Sequence, residues 1–117
     1  MYDKILIGEK EVPMLAMASV DIYYKQIFNE DPLKVQMSPT DGPSSELLEL
    51  YSKMGFVMAK FAELKSRKEM LKLNFDSYIE WLEQFERADY LAVLGDIRLI
   101  YEGERRPSSQ EKKEAAE

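Results

Sequence analysis

The chain has 117 residues, a formal net charge of -6, no cysteine and no histidine. Missing cysteine excludes a disulfide framework and thiolate metal sites, and missing histidine excludes catalysis that needs an imidazole base as well as the usual zinc ligands. A sequence pI near 4.8 opposes phosphate tracking, so nucleic acid is not expected as a partner.

The length fits one domain with a core of its own. No apolar run approaches the roughly 20 residues of a membrane span. The opening, MYDKILIGEKEV, lacks an apolar signal-peptide core and has an acid at position 3. These features point to a soluble, cytoplasmic protein with no membrane partner.

Residues 3–14 read as a β-hairpin. Gly8-Glu9 suits a two-residue turn, because glycine accepts positive φ at the first central position. That turn sets Ile7 opposite Lys10 and Ile5 opposite Val12. Pro13 cannot donate to a ladder, so its strand should be an edge, and an edge strand favours self-association. A lone hairpin is marginal in water and must lie on helices or pair with another chain.

A helix follows from about Ser19 to Asn29, with Ser19 as cap and Val20, Tyr23, Tyr24, Ile27 and Phe28 on one face. Asn29-Glu30-Asp31-Pro32 ends it. Residues 36–45 read as a loop. A longer helix then spans about Glu46 to Lys65, capped by Ser44 or Ser45. Its apolar stripe is broad enough for two neighbours, and Gly55 within it suggests close packing. The charged stretch 65–72 is a connection that could extend this helix.

Asn74 or Asp76 caps the next helix, about Ser77 to Ala88. Phe75, Ile79, Leu82 and Phe85 mark its expected core face, with Tyr78 and Trp81 off the centre of the stripe. A last helix runs from about Tyr90 to Tyr101. The polar tail 104–117 has no large apolar residue and should be disordered without a partner. The expected fold is therefore α+β and mainly α: a short N-terminal hairpin on about four helices, forming a single domain over 1–103.

Candidate sites follow from residue type. Tyr78 and Trp81 could be partner-binding anchors, since tyrosine and tryptophan are enriched in binding hot spots; their core role stays open. Met54 and Met58, with Met14, Met17 and Met70, could line an adaptable surface or fill gaps in the core. Glu80, Glu83 and Glu86 read as a solvated acidic face, with no i, i+3 histidine to suggest a metal site. Lys65, Arg67, Lys68 and Lys72 read as a basic patch or a solvated connector. The five glycines match no phosphate-binding loop. No catalytic residue, metal or cofactor is expected.

The order of these features resembles the small tail assembly chaperones of long-tailed bacteriophages and prophages of Gram-positive bacteria. The matching segments are Ile5-Leu6-Ile7-Gly8-Glu9-Lys10-Glu11-Val12, Tyr24-Lys25-Gln26-Ile27-Phe28, Asn29-Glu30-Asp31-Pro32-Leu33, Met58-Ala59-Lys60 and Ser77-Tyr78-Ile79-Glu80-Trp81-Leu82-Glu83-Gln84-Phe85. The resemblance covers roughly residues 4–102. It implies a non-catalytic cytoplasmic assembly factor that binds the tape measure protein and meets the tail tube protein during tail morphogenesis. It also implies absence from the finished virion. Self-association is a further expectation. The rival readings are a small structural tail or connector component, which would remain in virions, and an antitoxin-like regulatory binder. An enzyme is the weakest rival and would need a buried glutamate in a cleft.

Overall fold

The computed structural model describes residues 2–36 and 45–104. Among these, two strands and seven helices form an α+β fold that is mainly helical. The expected loop core at 37–44 and nearly all of the tail lie outside the described residues.

Strands β1 (Tyr2–Ile7) and β2 (Lys10–Leu15) pair antiparallel in the register read from the turn, with Ile7 on Lys10 and Ile5 on Val12. Gly8 has φ +64°, and Glu9 does not share the positive sign, the pattern of a II′ turn. Counting pairs from the turn, Pro13 opposite Lys4 takes a site whose N–H would point outward, so its missing donor breaks no ladder bond. On β1 the Lys4 N–H donates to Asp3 Oδ1 at 2.8 Å. Both outer edges are thus partly blunted, which weakens edge pairing as a route to self-association. Ile5, Ile7 and Met14 face inward, while Tyr2 and Leu6 face out.

Helix α1 (Val20–Phe28) begins where Val20 N–H reaches Met17 O. The Ser19 side chain makes no cap bond, contrary to its expected role, because its backbone is already helical. Asn29 closes the helix in the left-handed conformation at φ 54°. A short helix, α2 (Pro32–Gln36), follows that sequence reading did not anticipate. Proline at the first helical position has no N–H to leave unpaired, and Asp31 Oδ1 accepts from Leu33 N at 3.0 Å.

The axis of the fold is α3 (Ser45–Leu64). Every residue from Lys53 to Ala59 is buried, because β2, α1, α5 and α7 surround this stretch. Its breadth of apolar stripe foretold more than one neighbour. Full burial of Phe56 contributes roughly 1.5–3 kcal/mol. Lys65, at φ 52°, ends α3 instead of extending it. Ser66 then caps α4 (Arg67–Met70) by accepting from Glu69 N.

Helix α5 (Phe75–Leu82) starts earlier and stops sooner than the periodicity suggests. Asn74 and Ser77 form a reciprocal capping box that fixes the start. Beyond Leu82 the chain turns, and the Gln84 side chain donates to Trp81 O at 3.1 Å, satisfying a terminal carbonyl. That turn brings Phe85 edge-on to Trp81 at 5.0 Å and stacks it on Tyr90. The single last helix expected from Tyr90 to Tyr101 is two pieces, α6 (Arg87–Ala92) and α7 (Leu94–Tyr101), joined at Val93. The break lets Tyr90 reach the Ser52 carbonyl while Ile97 and Ile100 keep their own seats in the core. No helix among the described residues is long and apolar enough to cross a membrane.

Candidate partner-binding surface

All four residues singled out as partner contacts lie inside the fold. Met54 and Met58 are fully buried in the middle of α3, and Tyr78 and Trp81 are 6 % exposed. Trp81 packs its ring against Phe56 and Tyr90 at 5.7 and 5.5 Å, and Tyr78 Oη lies 2.6 Å from Ser52 Oγ. These are core roles, and the reading of the four as surface anchors is corrected accordingly. The methionines fill gaps: Met14 and Met70 are also buried, and Met17 alone of the five candidates is exposed.

The correction has a counterpart on the same helix. Phe75 and Ile79, expected in the core, are 51 % and 38 % exposed. The α5 face is rotated so that Tyr78 and Trp81 point at α3. Phe75 and Ile79, one turn apart, form an outward stripe. The stripe does not stand alone. Half-buried Phe28 meets Phe75 at 6.4 Å and Tyr78 at 5.2 Å, so the apolar surface continues from α5 onto the end of α1.

Lys53 supports this shoulder from below. Its side chain is 4 % exposed, and its Nζ lies 2.9 Å from both Glu30 Oε1 and Glu49 Oε1 and 5.1 Å from the centre of the Phe28 ring. Tyr24 Oη adds a bond to Glu30 Oε2. One buried cation therefore ties the end of α1 to α3 and holds Phe28 in place. Burial opposes the Lys53 charge, but hydrogen bonds and attraction from Glu30 and Glu49 outweigh it and raise the pKa. Desolvation, aided at Tyr24 by Glu30, raises the pKa of Tyr24, Tyr78 and Tyr90.

These shifts give a pH prediction with one sign. Each group keeps its proton to higher pH in the folded state than in the unfolded chain. Their stabilisation is complete below the ordinary values of 10.0 and 10.5 and is lost as pH rises through the raised folded values. Thermal melts should show a falling midpoint above about pH 10. A flat midpoint through that range would contradict the buried placement of these groups.

The rim of the shoulder is acidic. Glu30, just past the end of α1, and Glu49 of α3 border it, both with exposed side chains. Asp76 and Glu83 lie next to the Phe75–Ile79 stripe in the helical repeat, with Glu80 beyond them, and all three are exposed. Glu80, Glu83 and Glu86 are all exposed, but they do not share one helix face, because α5 ends at Leu82 and Glu86 stands at the start of α6. Among the described residues no glutamate is buried and no group of three candidate ligands could hold a metal ion.

Two of the clefts among the described residues are formed around β2, α3, α5 and α7. One, of about 610 Å³, lies between β2, α3 and α5, with Trp81, Phe85, Val12 and Pro13 in its lining and Lys10 Nζ 5.7 Å over the Phe85 ring. The other, of about 700 Å³, runs between α3 and α7 past Leu47, Leu48, Leu94 and Gly95. Neither gathers charge of one sign. The shoulder combines protruding aromatic and aliphatic side chains with an acidic rim. No protein-family model, curated protein or solved structure matches the chain.

Proposed function

We propose that the protein is a tail assembly chaperone of a long-tailed phage or prophage, a non-catalytic cytoplasmic factor that binds the tape measure protein, meets the tail tube protein and leaves before the virion is complete. The order of sequence segments from residue 5 to residue 85 is what suggests the family. The observation that carries the binding mode is the shoulder of Phe75, Ile79 and Phe28 inside an acidic rim.

A tape measure is a long helical protein whose apolar stripes are uncovered until the tube forms around it. A shallow apolar shoulder can receive such a stripe as a helix lying across it. The acidic exterior keeps the loaded complex soluble and steers partners with basic flanks. Many copies along one rod add avidity, while each contact stays weak enough for tube subunits to displace.

The test is a pull-down of the tape measure by folded variants. Phe75→Ala with Ile79→Ala should weaken capture by about tenfold or more, since exposed anchors at an interface centre carry about 1–2 kcal/mol each. Leu48→Ala, an exposed leucine in the α3–α7 cleft, should leave capture unchanged. Equal capture by the double variant and the wild type would remove the shoulder from the binding account. Recovery of the protein as a stoichiometric part of purified virions would favour a structural tail component instead.

A further inference from the structure

The shoulder calls for an apolar group flanked by basic residues, and the chain carries one immediately before it. Residues 65–72 hold Lys65, Arg67, Lys68 and Lys72 against the single acid Glu69. All four bases are exposed, and Lys72 pairs with Glu69 at 3.5 Å. Leu71 stands in their midst at 49 % exposure. Residues 75–86 hold Asp76, Glu80, Glu83 and Glu86 and no base, and their apolar residues Phe75 and Ile79 are exposed. A basic-flanked apolar knob is therefore followed directly by an acid-flanked apolar patch.

Within one copy the knob and the patch are chain neighbours and cannot cover each other. Two copies related by a two-fold axis near residues 72–75 can cover both at once. The α4 knob of each then meets the α5 patch of the other, and every favourable charge contact occurs twice. We infer that a second copy of this chain seats on the α4–α5 surface in this reciprocal way, forming a homodimer that covers Phe75 and Ile79. The blunted hairpin edges leave this surface as the better route to self-association than strand pairing. If the shoulder also receives the tape measure, the dimer and the client compete for it, a consequence that rests on the proposed function; the dimer itself does not.

Sedimentation velocity of the full chain alone tests the inference, with no tape measure present, so its failure leaves the chaperone reading standing. The wild type should shift from monomer to dimer across a concentration series at low ionic strength and dissociate on adding salt. Lys68→Glu and Glu80→Lys each change an exposed residue and should keep the wild-type circular dichroism spectrum. Each reversal acts twice in the dimer and should weaken self-association about tenfold. An equimolar mixture of the two variants should recover wild-type association, because one chain is then acidic at both positions and the other basic at both. A wild type that stays monomeric throughout, or a mixture that associates no better than either variant alone, would overturn the inference.

Discussion

Trp81→Ala is expected to cost the fold about 3–5 kcal/mol, the range for deleting a large buried aromatic. The indole is 6 % exposed and packs against Phe56, Phe85 and Tyr90, which join α3, the turn after α5 and α6. Its removal opens a cavity where three segments converge, and the rings around it are held by one another. Domains of this kind have about 5–15 kcal/mol in total, so the variant should lie near the edge of folding. Urea titration followed by circular dichroism gives the magnitude. A stability loss below about 1 kcal/mol would place Trp81 at the surface and return it to the list of direct contacts.

Gly55→Ala should destabilise the protein although the residue lies inside a helix, where alanine is favoured over glycine by about 1 kcal/mol. A Cβ built at Gly55 would stand 2.7 Å from Tyr90 Oη and 2.8 Å from Ile97 Cδ1. Neither atom has room to retreat: Tyr90 Oη is bound to the Ser52 carbonyl and Ile97 is fully buried. Overpacking of this kind costs about 1–3 kcal/mol; with both atoms pinned the upper part of that range, about 2–3, applies, which leaves a net loss of about 1–2 kcal/mol for alanine and a larger one for valine. The urea midpoint reports the sign directly. A stabilised Gly55→Ala would mean that α3 and α6 do not approach this closely.

The limits of sequence reading here follow from how each element is determined. The hairpin was legible because a two-residue period and one glycine at the turn fix register locally. The α3 span and the close packing at Gly55 were legible for similar reasons, a long periodic stripe with one small residue in it. The face of α5 was not. Phe75, Tyr78, Ile79, Trp81 and Leu82 span about 160° of an eight-residue helix, wider than one buried stripe needs, so several rotations bury a similar area. Contacts with Phe28, Phe56 and Tyr90, distant in sequence, chose the rotation that buries Tyr78 and Trp81. The same surplus is the signal that could have found the shoulder: a short helix with too many apolar residues for one buried face must expose some. The breaks at Glu83 and Val93 also serve distant partners, stacking Phe85 on Tyr90 and sending Tyr90 to Ser52. Local propensity carries no record of such contacts.

The most direct test of the proposed chaperone role is co-expression with a phage tape measure protein, followed by sizing of what co-purifies. The account predicts a soluble complex with many copies of this chain per tape measure, lost when Phe75 and Ile79 are both changed to alanine. A tape measure that precipitates while this chain elutes free would contradict it.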